Sequence, residues 1–136
     1  MRNRESLIRL HKFQVDEKRR TVADLERMLA DFRQRERDLE VQVEAEQQKA
    51  GISDVSHFAY PMFAKSVIRR RQNILESIEG IERQLETAKE ELAISFRELK
   101  KYELLETSRK RKVRKEMMRR EQSALDEIAL NIHRRH

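Results

Sequence analysis

Two long stretches of apolar residues, spaced alternately four and three positions apart, constrain this chain most. Such spacing aligns side chains along one stripe of an α-helix, and two such stripes pack together in a coiled coil. The first seam runs through Val15, Lys18, Val22, Leu25, Leu29, Phe32, Glu36, Leu39, Val43, Glu46 and Ala50. The second seam runs through Val67, Arg71, Ile74, Ile78, Ile81, Leu85, Ala88, Leu92, Ser95, Leu99, Tyr102 and Glu106. The sequence therefore predicts two helices that pair along these seams.

A single weakly charged break separates the two seams. Gly51 can end a helix in the left-handed conformation, and Pro61 suits the first turn of a new helix, where its missing N–H is not needed. The predicted helices cover about residues 3–50 and about 62–133, joined by a connection at 51–61. A short connection folds two such helices back on each other. We predict one all-α domain, a long antiparallel two-helix coiled-coil hairpin whose second helix is longer than the first.

Composition fits long helices and argues against an enzyme. Charged residues make up 41% of the chain, which leaves too few apolar side chains to fill a layered core. The chain has no cysteine, and its four histidines lack the spacing of a zinc-binding helix. There is no phosphate-binding loop or nucleophile motif, and two exposed helices offer no water-limited pocket. We therefore predict a non-enzyme without cofactor or metal, and no apolar run suited to membrane insertion.

Counting outward from the connection predicts the register of the hairpin. Phe32 should lie opposite Gly80, and Leu7 should lie near Leu105. From about Lys110 onward, a segment called here the tail, the second helix then has no partner over about 35 Å at 1.5 Å per residue. The heptad pattern fades at the same place and apolar residues resume in another phase, at Met117, Met118, Leu125, Ile128 and Ile132. Such a stripe is seldom left bare, so we predict that the tail docks on another protein.

The densest positive charge of the chain lies where the second seam ends. Its members are Arg109, Lys110, Arg111, Lys112, Arg114, Lys115, Arg119 and Arg120. A solvated basic face, an acidic protein partner and nucleic acid are the three interpretations. Elsewhere, basic and acidic residues alternate as on a solvated coiled-coil surface. No stacking aromatic side chains interrupt the cluster, so nucleic acid is not the expected partner.

Leu7, Leu10 and Phe13 form a second apolar stripe beside the start of the first seam. The partner helix can bury both stripes, or the second stripe can contact another protein. Periodicity alone does not separate these two interpretations.

Aromatic residues cluster at the connection between the helices. They are Phe58, Tyr60 and Phe63, followed by Val67, and together they are called here the aromatic tip. The rings can pack locally as a cap on the hairpin. The end of a hairpin cannot enclose three large rings, however, so we favour exposure and binding.

Three segments resemble alphaproteobacterial members of the FliJ family. The first is Ser6–Arg20, SLIRLHKFQVDEKRR, which resembles the start of those proteins. The second is Gly51–Asp54, GISD, followed by His57–Pro61, HFAYP, and the third is Glu98–Lys101, ELKK. FliJ proteins are cytoplasmic components of the flagellar type III export apparatus. The resemblance covers nearly the whole chain in length and layout.

The resemblance implies a non-enzymatic stalk that links the hexameric export ATPase to the membrane export gate. It places the protein in the cytoplasm, peripheral to the cytoplasmic face of the inner membrane, with export chaperones as further partners. The aromatic tip would contact the gate through Phe58, Tyr60, Phe63 and Val67. The end that carries both termini would contact the ATPase through Leu7, Leu10, Phe13, Arg109, Lys110, Arg111, Lys112, Arg114, Lys115, Met117, Met118, Arg119 and Arg120. The alternatives are a basic coiled-coil scaffold and a nucleic-acid-binding helical protein.

Overall fold

The structure, a computed structural model, describes residues 2–52 and 54–135, and the side chains of 3–49 and 61–135. Over these residues the chain forms two helices, α1 (Arg2–Ile52) and α2 (Asp54–Arg135). They pair as an antiparallel hairpin in which α2, with 82 residues, is longer than α1, with 51. The predicted all-α hairpin is confirmed.

The helix bounds at the connection differ from the prediction of a connection at 51–61. Helix α1 continues to Ile52, and α2 already begins at Asp54, so Pro61 lies inside α2 rather than at its start. Aspartate is a favoured residue at a helix start, and neither glycine nor proline follows until Pro61. The helix therefore forms ahead of the proline, which at this interior position removes one backbone hydrogen bond and crowds the carbonyl four residues earlier, at a cost of about 3 kcal/mol.

Both predicted seams are confirmed by the burial of their described members. Within residues 12–49, the side chains that are buried or half-buried are those of the first seam, and the others are exposed. Every member of the second seam, from Val67 to Glu106, is also buried or half-buried. Val15 is the most deeply buried of the core residues, at 2% exposure. The four-three spacing therefore located the contact surface of each helix.

Residues 16–94 form one of two units into which the hairpin divides. Its core contains Leu29, Ile78, Ile81 and Leu85, with Val22, Leu25, Phe32 and Ile74 packed against them. Full burial of one such side chain contributes about 1.5–3 kcal/mol. Apolar contact between the helices is therefore the main stabilising interaction in this unit.

Two ion pairs cross between the helices within this unit. Lys18 Nζ donates to Glu91 Oε2 at 3.0 Å, and Arg33 Nη2 donates to Glu82 Oε1 at 3.3 Å. Arg33 and Glu82 are one and two residues away from Phe32 and Gly80, which the register predicts to lie opposite each other. The register obtained by counting is therefore confirmed here.

The second unit comprises residues 2–15 and 95–135 among those described. In this unit the imidazole of His11 stacks on the phenol ring of Tyr102, with the ring centroids 4.5 Å apart and an interplanar angle of 23°. Leu7 and Leu105 line the same cleft, as the register predicts. The seam contact of this unit therefore includes a stacked aromatic pair.

Candidate docking surfaces

The tail of α2 extends past the start of α1 as a single exposed helix. Among residues 110–135, every side chain except that of Glu116 is exposed. The apolar stripe is exposed throughout its length, at Met117, Met118, Leu125, Ile128 and Ile132. The predicted absence of an intramolecular partner for the tail therefore holds within the described residues.

The positive cluster divides into cations that are paired and cations that are not. Arg109 donates to both carboxylate oxygens of Glu106, at 2.7 and 3.2 Å, and Arg119 contacts Glu116 in the same way, at 2.8 and 3.2 Å. Arg120 also pairs with Glu116, at 3.4 Å. Two-point pairing of this kind holds a guanidinium in place. These three arginines are therefore partly neutralised.

The other five cations of the cluster have no carboxylate partner within the described part of the chain. They are Lys110, Arg111, Lys112, Arg114 and Lys115, and all are exposed. Consecutive residues of a helix are turned by about 100°, so these side chains surround the helix on all sides. The unpaired positive charge is therefore concentrated in less than two turns at the start of the tail.

Glu106 is a buried carboxylate at the end of the second seam, with 8% of its surface exposed. The hydrogen bonds from Arg109 lower its pKa against the opposing effect of burial, and the charges of Arg109, Lys110 and Arg4 act in the same direction as those bonds. Glu106 in turn raises the pKa of Arg109. Both groups line a cleft of about 390 Å³ with Arg4 and Leu7. The pair therefore marks the point where the seam ends and the tail begins.

The structure separates the members of the second apolar stripe near the start of α1. Leu7 is half-buried, whereas Leu10 and Phe13 are exposed, at 50% and 57%. Helix α2 therefore buries one stripe and leaves Leu10 and Phe13 available to another protein.

The structure describes only part of the aromatic tip. The side chains of Phe58 and Tyr60 lie outside the described residues, and Phe63 is half-buried. Val67 is only 6% exposed, as expected of a seam residue. Its burial leaves almost no surface for a partner, so we assign Val67 to the seam, and the predicted gate contact of this side chain gains no support.

The sequence analysis missed an apolar and basic groove on α2, here called the outer groove. Two rows of side chains spaced four residues apart border it: Phe96, Lys100 and Leu104 form one row, and Arg97, Lys101 and Leu105 form the other. The groove measures about 540 Å³. The four-residue spacing is present in the sequence, but these positions lie off the second seam, and the heptad pattern therefore does not mark them.

The described residues contain neither a membrane-spanning helix nor a metal-binding cluster. Neither helix is long and apolar enough over its described residues to cross a membrane. The described residues also contain no group of three or more histidine, aspartate or glutamate side chains placed to hold a metal ion.

Comparison with known proteins adds one finding. A family model described as "Flagellar FliJ protein" matches residues 2–136. The chain belongs to the flagellar FliJ family. The resemblance of its opening and connecting segments to that family is thereby confirmed, and FliJ membership makes it a component of flagellar protein export. No curated protein and no solved structure matched the chain.

Proposed function

We propose that this FliJ-family chain is a non-enzymatic coiled-coil adaptor that links the hexameric export ATPase to the membrane export gate. The observation that supports the proposal is the tail of α2, in which an exposed apolar stripe directly follows five unpaired cations. A surface of this kind is suited to an acidic protein partner with apolar contacts. The ATPase ring is the family's expected partner of that kind.

The isolated tail is energetically unfavourable, and this favours a bound state. A helix without tertiary contacts is marginal in water, and the stripe leaves large apolar side chains exposed to solvent. Burying apolar surface contributes about 25 cal/mol per Å². A ring that surrounds the tail would bury the stripe and neutralise the cations on all sides of the helix at once.

Leu10 and Phe13 provide a second apolar contact for the same partner. Both side chains are exposed although they belong to the unit that contains the tail. Exposed aromatic and aliphatic anchors contribute much of the free energy of protein–protein binding. We therefore assign Leu10 and Phe13 to the ATPase contact, and Leu7 to the support of that surface.

The gate contact is assigned to the aromatic tip. Phe63 and Tyr60 are the residues that match the family's tip pattern, with Phe58 beside them. In this proposal Val67, which is buried in the seam one turn after Phe63, holds the two helices together. The protein would then work in the cytoplasm at the inner face of the membrane, with export chaperones as additional partners.

A pull-down of the export ATPase tests the proposal. The full chain and a chain that ends at Arg109 are compared, since the truncation removes the tail but keeps both seams. We expect the full chain to retain the ATPase and the truncated chain to lose most of it, with similar melting temperatures. Equal retention of the ATPase by both chains would refute a tail-dependent contact.

A further inference from the structure

We propose that the outer groove of α2 is a docking site for an acidic amphipathic helix. The site lies apart from the tail and from the aromatic tip, and the adaptor role described above does not require it. The inference follows from three features of the groove: the spacing of its borders, its exposed apolar ends and its uncompensated positive charge.

The borders of the groove have the geometry of a helix-packing surface. Phe96, Lys100 and Leu104 form one ridge at four-residue spacing, and the second ridge runs beside it from Arg97 to Leu105. Helices commonly pack by inserting a ridge of four-residue spacing into such a groove. The fitting ligand is therefore a second helix, which presents one row of side chains spaced by four.

The apolar side chains of the groove lie toward its two ends. Leu104 and Leu105 lie at one end, where they are 68% and 54% exposed, and Phe96 lies at the other end. All three lie off the second seam and remain at least 40% exposed, although Leu105 also lines the cleft with Leu7 of α1. A partner helix buries apolar surface at both ends of the groove if the row of side chains that it inserts carries an apolar residue at each end.

The middle of the groove is positively charged. Lys100 and Lys101 occupy corresponding places in the two ridges, and Arg97 lies one turn before Lys101. Within the described residues, no carboxylate pairs with Arg97 or Lys101, although Lys101 Nζ lies 5.8 Å from the ring centroid of Tyr102, and the exposed pair of Lys100 with Glu103 is long, at 3.7 Å. Such an exposed pair is weak and exchangeable. An acidic side chain inserted between the ridges would therefore meet net positive charge from Arg97, Lys100 and Lys101.

These features together define the ligand by its chemistry. Its contacting row has the pattern apolar, acidic, apolar at successive four-residue steps. The aromatic ring of Phe96 helps to hold the central charge in place, since Lys100 Nζ lies 5.3 Å from its centroid. A helix with a basic residue at the centre of the row would be repelled.

Fluorescence anisotropy with a designed peptide tests the site. The probe is a labelled helical peptide of about five turns whose exposed row reads Leu-xxx-Glu-xxx-Leu, titrated with the full chain. We expect saturable binding, and binding at least about tenfold weaker, about 1.4 kcal/mol, for the variant Lys100→Glu/Lys101→Glu. The peptide with Lys in place of the central Glu should show the reverse preference and bind the variant better.

Matched variants separate the groove from general attraction to a basic protein. Arg69→Glu/Arg70→Glu makes the same change of charge at an exposed adjacent pair elsewhere on α2, and Ile68→Gln matches Leu104→Gln in exposure. We expect Leu104→Gln to weaken binding and both matched controls to leave it unchanged. Equal losses in controls and groove variants, or no saturable binding, would overturn the proposal. So would concentration-dependent self-association that Lys100→Glu/Lys101→Glu abolishes, because a second copy would then occupy the groove.

Discussion

Lys18 of α1 and Glu91 of α2 meet at 3.0 Å between Nζ and Oε2, although they are 73 positions apart in the sequence. Lys18 occupies a seam position, where an apolar residue would bury more surface. The side chain is half-buried, and its ammonium group reaches the carboxylate, as long lysine side chains at such positions commonly do. The pair therefore favours one register of the two helices at some loss of apolar contact.

Replacing Lys18 by Leu should stabilise the hairpin. The exposed ion pair contributes no more than about 1 kcal/mol, whereas a leucine at this half-buried seam position would contribute about 1–2 kcal/mol, less than the value for full burial. We expect a higher melting temperature by circular dichroism for Lys18→Leu. Lys12→Leu, at an exposed position off the seam, is the control and should leave the melting temperature nearly unchanged. A lower melting temperature for Lys18→Leu would mean that the ion pair outweighs the apolar contact.

The seams were predictable because backbone geometry fixes which residues of a helix face the partner. Lys18, Glu36 and Glu46 interrupt the apolar pattern, yet all three are half-buried as their seam positions require. The spacing of four and three therefore predicted which residues face the partner helix, even where a charged residue occupies the seam. For the same reason, counting from the connection placed Leu7 close to Leu105 in the described cleft.

Other features depend on how far a side chain lies from the partner helix, and the spacing of residues along one helix does not give that distance. Leu7 and Leu10 are one turn apart in a single stripe, but only Leu7 is near enough to α2 to be half-buried. The pairing of Arg109 with Glu106 depends on their three-residue spacing, which the total charge of the cluster does not reveal. A glutamate three residues before an arginine is a recognisable signal for such a pair. Within the described residues the basic cluster therefore consists of three cations paired with a carboxylate and five that are not.

The stability contributed by Glu106 should depend on pH. Arg109 lowers the pKa of this carboxyl in the folded chain. The contribution is therefore present above the unfolded pKa and is lost as the pH falls through the lower folded value. We expect Glu106→Gln to melt at a lower temperature than the natural chain at neutral pH, with the difference shrinking below about pH 4. Glu116→Gln, in the unpaired tail, should change the hairpin melt less. A difference that is constant from neutral to acid pH would contradict a charge-dependent role.

The unpaired cations of the tail should control binding to the ATPase. Arg111→Glu/Arg114→Glu/Lys115→Glu reverses three of them, and we expect weaker binding together with a smaller salt dependence of the remaining affinity. The control Lys65→Glu/Arg69→Glu/Arg70→Glu makes the same charge change at exposed positions near the start of α2. Equal effects of both variants would show that net charge, and not the tail, determines binding. Isothermal titration calorimetry at two salt concentrations measures both the affinity for the ATPase and its salt dependence.

Phe63 and Val67 should separate gate binding from stability. We expect Phe63→Ala to weaken binding to the gate protein and to reduce motility, and to lower the melting temperature less than Val67→Ala does, because Phe63 is only half-buried. Val67→Ala removes apolar groups from the buried seam and should lower the free energy of unfolding by about 1–2 kcal/mol. Gate binding should stay intact at temperatures below the melting transition. A large loss of stability in Phe63→Ala, with no loss of gate binding, would assign the ring to the hairpin alone.

Amide hydrogen exchange over residues 110–132, on the full chain alone and with saturating export ATPase, tests the central claim most directly. We predict rapid exchange there in the isolated chain, compared with the seam around Ile78 and Ile81, because the tail lacks a partner helix. Addition of the ATPase should slow exchange in the tail and leave the seam unchanged. Strong protection of the tail in the isolated monomer, or no change on adding the ATPase, would contradict the account.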